Sequence, residues 1–555
     1  MPAGALSVPS TSTRLMHSIE QGHVSVQHQV TVLSESERLP WLDLLPILER
    51  LLPVKFSLAN RARARGVGEI IPEAVAEAEQ GGRIPSVSSL RVPQHESSAR
   101  DGKLIDIQVR FADDSEVPFP FRGRCLRAKI AVQPRQLSLR NDEKALAVSD
   151  GRPVWSSFSR MGVKHFRSAF ALPSVPPDSA LHDVLNAERF LELLPLLHWV
   201  RELCAGTRYE GPPLRACFMF DDPNLHWPRY GHVDFRQIAE HAAKENYHVS
   251  FATIPLDGWF VHCESAQIFR SHPRRLSLLI HGNDHARREL ARDYSHAERV
   301  SLLQQAVRRI ERLEAKAGLR VCRVMVPPHG ACSDEMLADL PRCGFEAGCI
   351  SHGSLRAHNK TKSWTRELGY SASELIQGCP VLPRWGLSGN TSNTILLAAF
   401  LEQPIVLRGH QEDLRDGVDL LDQLARFINS LGSVCWSNLT GLSRMNYLWR
   451  MDGSTLRLRP LGRKLTVHLP GGAETLVVQN PSHFDFGSWQ ISREGGAPVE
   501  VRPSEIMSLG GTTNGAISVE PLTPLAVSAG NPSKLPPVTA LFRRLITEGR
   551  DRFLS

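Results

Sequence analysis

Four apolar runs in the middle of the 555-residue chain end in side chains that can bind a metal or move a proton. Phe218-Met219-Phe220 ends in Asp221-Asp222, with Asn224 two residues on. Adjacent carboxylates repel, and a cation beside them relieves that repulsion; one can then ligate while the other serves as a base. Leu278-Leu279-Ile280 ends in His281, with His285 four residues later. If the chain turns helical there, both imidazoles share a face and can grip one ion. Val324-Met325-Val326 ends in Pro327-Pro328-His329-Gly330, and Val406-Leu407 in Arg408-Gly409-His410. Taken singly, each has an ordinary reading. The Asp pair could cap a turn, the His pair could lie on the surface of a chain with 22 histidines, and the others could be a tight loop and a structural histidine. It is their succession at strand ends that points to metal-dependent hydrolysis.

In order, Asp-Asp, His-x-x-x-His, Pro-Pro-His-Gly and Leu-x-x-His resemble the motifs of the polysaccharide deacetylase family, also called the NodB-homology or carbohydrate esterase family four group. The resemblance spans residues 210–440. It implies an irregular (β/α) barrel and one divalent metal ion, usually zinc, held by Asp222, His281 and His285. It also implies Asp221 as catalytic base and His410 as the acid that protonates the leaving amine. The implied reaction is hydrolysis of an amide C–N bond, most simply N-deacetylation of a carbohydrate. Another small N-acylated substrate, or a non-catalytic glycan- or partner-binding member of the fold, are the alternatives. Asn224, His329 and Trp385 crowd the same strand ends as candidate substrate contacts. The chain also departs from the family. Gly282 stands where Ser or Thr is usual, Met325 or Val326 replaces the third-motif arginine, and the fourth motif is reduced to Pro383-Arg384-Trp385. Asp221 is therefore expected to lack its supporting guanidinium. Cys332, beside the third motif, reads as a buried inert thiol.

Elements must hold these side chains together. Candidate strands are 216–220, 249–254, 276–280, 321–326, 347–350 and 405–407, alternating with amphipathic segments. The clearest helix spans 297–317, with a Ser295/Glu298 capping box and Gly318 as its stop. A second spans 418–431. Repeated alternation of this kind predicts an α/β domain, for which a barrel is the natural closed form. The expected organisation is a flexible leader over 1–30, a small mixed, β-rich domain over 31–180, the barrel over 181–445, and a C-terminal β-sandwich-like module over 446–555.

The bulk numbers suit a soluble multidomain protein. Hydrophobic residues make up 42%, charged residues 22%, and the net charge is +7. The Arg61, Arg63 and Arg65 run reads as a solvated face, and no nucleic-acid partner is expected. The ten cysteines form no C-x-x-C pair and read as buried free thiols of a reducing compartment. With neither a signal-peptide core nor a membrane-length apolar run, a cytoplasmic location is expected.

Overall fold

A computed structural model describes residues 28–34, 41–60, 67–72, 89–93, 103–160, 162–481, 484–493, 496–510, 515–522 and 538–553. Most of the expected leader and the Arg61–Arg65 run lie outside them. The last leader residues are not loose: His28–Ser34 is a strand, anchored by fully buried Val30 and Val32. The fold is mixed α/β. Residues 28–168 contribute a nine-stranded sheet.

The central sheet positions the site. Its strands are β1 (Arg215–Asp221), β2 (Val249–Thr253), β3 (Leu276–His281), β4 (Val321–Val326), β5 (Ala347–Cys349), β6 (Glu374–Ile376), β7 (Cys379–Leu382), β8 (Trp385–Gly386), β9 (Ile405–Gly409) and β10 (Cys435–Trp436). The order is β6-β7-β5-β4-β3-β2-β1-β9-β8, with β10 added beside β1. Every pairing is parallel except β6 with β7. Parallel strands are buried on both faces, which is why they read as unbroken apolar runs. Cys217, Met219, Leu279, Val324, Val326 and Val406 form one core, capped by Leu439 and Leu442. Phe218, Phe220, Phe251, Leu278 and Ile280 turn the other way, into the core shared with the helices. Each such side chain contributes about 2 kcal/mol by leaving water.

Backbone pairing does not close this sheet into a barrel. Among the described residues no ladder joins the two edge strands, β6 and β8, and Pro383-Arg384 carry the chain from β7 to β8.

Helices α1 (Phe235–Glu245), α2 (Cys263–Ser271), α3 (His296–Ala317) and α4 (Asp419–Asn429) pack outside the sheet. α3 starts with the reciprocal Ser295/Glu298 capping box and stops at left-handed Gly318, φ +63°. Beyond it, two four-stranded sheets share an apolar core that includes Leu458, Val478, Trp489 and Val519. A final helix, α5 (Val538–Phe553), follows them. The all-β expectation for the C-terminal region contains no such helix, and α5 returns to the central sheet. None of the ten cysteines is in a disulfide, and Cys125, Cys263 and Cys435 are exposed rather than buried. Among the described residues no helix is long and apolar enough to cross a membrane.

Candidate metal centre and active site

β1 delivers Asp221 and Asp222 at its C-terminal end. The Asp222 amide still donates to Ala252 O at 3.1 Å, as in the ladder. The residue then takes φ +82°, and the chain leaves the sheet. His285 and His329 are also left-handed, at +55° and +57°. Such backbone is costly for non-glycine residues and collects where side chains must be aimed.

Asp222, His281 and His285 offer ligand atoms that all lie within 4.8 Å of one another. Asp222 Oδ1 is 3.5 Å from His281 Nε2 and 3.1 Å from His285 Nε2. Bonds of about 2 Å around a tetrahedral ion put ligand atoms about 3.3 Å apart, so the spacing fits. Asp222 Oδ1 is buried yet accepts no hydrogen bond, despite two imidazoles beside it. Ligand atoms aimed at a common point, rather than at each other, behave this way. His281 Nδ1 donates to Val326 O at 2.9 Å, which leaves Nε2 as the ligand atom. The electrostatics agree. Burial opposes charge on Asp222, but the two imidazoles outweigh it and hold the carboxyl well below its usual range. Burial also opposes charge on His281, where Asp221 and Asp222 together win and raise its pKa. His285 is lowered, chiefly by burial.

The His-x-x-x-His pair does not meet on a helix as the spacing suggested. Residues 282–285 form a loop. Gly282 sits at φ +63°, and a Cβ there would lie 2.4 Å from Glu289 Oε2 and 2.5 Å from Pro328 Cγ. That explains why a glycine stands where Ser or Thr was expected. Buried Glu289 accepts from the Asn283 and Asp284 amides at 2.9 and 2.6 Å. Arg309 ties down both side chains, at 2.7 and 2.5 Å. Neither Glu289 nor Arg309 was singled out by sequence, because the burial of Glu289 and the reach of Arg309 appear only in the folded chain.

Asp221 does not lack a guanidinium. Arg384 Nη1 donates to both of its carboxylate oxygens at 3.1 Å, and both side chains are about 5% exposed. The third motif supplies no arginine, since Arg323 on β4 pairs with Glu314; Arg384, in the link from β7 to β8, supplies one instead. Arg408 stands 3.7 Å from the same carboxylate and donates to His410 Nε2 at 3.2 Å.

Asp221, Asp222, His281, His285, His329, Trp385 and His410 line one cavity of about 630 Å³. Asn224 does not. It is buried, and its Oδ1 accepts from the His226 amide at 3.2 Å, so it shapes the turn after β1. The Cys332 thiol is fully buried and pushed well above its ordinary pKa by burial, which makes it unreactive. His241, Glu245 and Asp422 also lie close together, but Arg426 pairs with both carboxylates.

One wall of the cavity comes from α5, through Arg543, Arg544, Thr547 and Arg550. Arg544 is buried against Asp257 Oδ2 at 2.5 Å. His226 bridges Asp257 O at 2.9 Å and Glu548 Oε1 at 3.0 Å. Arg543 donates to the carbonyls of Asp284 and His285. The metal loop and the last helix are thus tied together. The sequence signal for α5 was the pairwise alternation Leu541-Phe542, Arg543-Arg544, Leu545-Ile546, Thr547-Glu548.

No family model and no curated protein match the chain. Solved structures do. Agd3, described as a novel carbohydrate deacetylase, is 10% identical with a TM-score of 0.45, over 88% of this chain and 100% of that one. A putative polysaccharide deacetylase from Mycobacterium smegmatis is 16% identical with a TM-score of 0.31, over 42% of this chain and 89% of that one. A carbohydrate esterase family four pseudoenzyme from Bacillus anthracis is 16% identical with a TM-score of 0.27, over 42% and 68%. Likeness at these scores fixes neither activity nor substrate.

Proposed function

We propose that the chain is a metal-dependent hydrolase of an amide C–N bond, most simply one that removes an N-acetyl group from a sugar. The irregular barrel of the deacetylase type belongs to the same reading, with the gap between the edge strands β6 and β8 as its incomplete side. The observation that carries the proposal is the convergence of Asp222, His281 and His285 beside an arginine-held Asp221.

Asp222, His281 and His285 would hold one divalent ion, zinc being the natural match for two imidazoles and a carboxylate. Such an ion supplies a polarised carbonyl and an acidified water when bound. The chain's own residues do the rest. Asp221, fixed by Arg384, takes the proton of the attacking water. His410, at the same end of the neighbouring strand β9, delivers a proton to the departing nitrogen. Trp385 and His329 flank the cavity as substrate contacts.

The test is acetate release from N-acetylated sugars by the full chain supplied with zinc, cobalt or nickel. Release that disappears in Asp221→Asn supports the reading. Release that survives Asp221→Asn and His410→Ala together contradicts it.

A further inference from the structure

We propose that the substrate carries an anionic group, such as a carboxylate, phosphate or sulfate, and that α5 supplies arginines to receive it. This rests on the amide-hydrolase reading for the position of the substrate.

Five arginines line the cavity, Arg384, Arg408, Arg543, Arg544 and Arg550, against two lining carboxylates, Asp221 and Asp222. Arg384 is engaged by Asp221, and Arg544 by Asp257. Asp257, which Arg544 engages, is not itself among the lining residues. Arg543 donates to carbonyl oxygens, which orient it without neutralising it. Like charges gathered in one concavity repel, and a neutral sugar would do nothing to relieve that. Guanidinium groups match planar carboxylate and tetrahedral phosphate or sulfate oxygens two at a time.

The way α5 docks agrees. Its polar side, with Arg543, Arg544 and Thr547, lines the cavity, while Phe542, Leu545 and Ile546 are 63%, 59% and 72% exposed. A helix held by apolar packing would dock the other way round. This one is held so that its arginines reach the cavity.

The experiment is calorimetric titration of the full-length, metal-free chain with N-acetylglucosamine 6-phosphate, inorganic phosphate and N-acetylglucosamine. The phosphorylated sugar is expected to bind at least tenfold more tightly than the neutral one. Arg550→Gln, at an exposed position, is expected to weaken it about tenfold with unchanged thermal unfolding, and Arg543→Gln/Arg550→Gln further. Equal binding of the two sugars overturns the proposal. So does phosphate binding that neither variant alters, which would mark an adventitious ion only. Divalent-metal binding is measured on the same preparation. If the ion binds but arginine-dependent anion binding is absent, this inference falls alone. If the anion binds and no ion does, the hydrolase reading falls instead.

Discussion

Arg384, in the short link between β7 and β8, donates from Nη1 to both oxygens of Asp221 at 3.1 Å. The residues lie 163 positions apart in the chain, and both are buried. A buried charge without its partner is expensive, and a base whose carboxylate can rotate is a poor one.

Arg384→Met should therefore do two things. It should destabilise the protein by about 3–5 kcal/mol, because buried Asp221 loses its two hydrogen bonds and keeps only Arg408, at 3.7 Å, beside it. It should also lower kcat by roughly 10²-fold or more, as expected when general-base catalysis is lost. Adding Asp221→Asn should restore much of the stability but none of the activity. Denaturant unfolding and initial rates on the four proteins of the cycle check both statements. Equal stability of the parent and Arg384→Met would show that the pair is not coupled.

Gly282→Ser places the commoner residue at a position this loop cannot give it. The left-handed backbone and the close approach of Glu289 and Pro328 leave no room for a Cβ. A loss of about 1–3 kcal/mol is expected, together with weaker metal binding, because Glu289 organises the loop that carries His285. Thermal unfolding with and without added zinc measures it. A variant as stable as the parent contradicts the packing described.

Burial pushes the Glu374 carboxyl up to about 8. In the unfolded chain it ionises near its ordinary value of about 4.3. Folding is thus unopposed by this group below that pH, and stability is lost progressively as pH rises from there toward 8. Glu374→Gln should raise the melting temperature at about pH 8.5 and leave it nearly unchanged at about pH 4. A melting-temperature difference that does not vary with pH would sink this assignment.

Both ring nitrogens of His226 face oxygens, one a carbonyl of Asp257 and one the Glu548 carboxylate. That arrangement suits the imidazolium. Burial opposes the charge, but Glu548 and the Asp257 carbonyl outweigh it, and the pKa is raised. The bridge to α5 is complete at low pH and weakens as pH rises through that raised pKa. Hydrogen exchange of residues 538–553 should accelerate with pH beyond the intrinsic rate, and Glu548→Gln should remove the excess. Exchange that follows the intrinsic rate alone, in parent and variant, would exclude the bridge as a tether.

Much of the framework was legible in the sequence because parallel strands covered on both faces must be apolar throughout. Val321–Val326 and Ile405–Gly409 announce themselves in this way, as does α3 by its caps. What three-dimensional folding adds was not legible. The meeting of His281 and His285 depends on a left-handed glycine rather than on helical spacing. Arg384 reaches Asp221 from the link between β7 and β8, and nothing in the third motif at the end of β4 announces it. Asn224 has the chemistry of a substrate contact but turns inward to bond a backbone amide. α5 hides best, because it lies more than 100 residues beyond the strand ends it covers and docks by its polar side.

The central claim is that Asp222, His281 and His285 share one ion. Titrating the metal-free chain with cobalt(II) and following the visible absorption of the bound ion tests it directly. The account predicts saturation near one ion per chain, with the band abolished in Asp222→Ala and in His281→Ala but kept in His410→Ala. No band in the parent, or one that survives Asp222→Ala and His281→Ala, would contradict it.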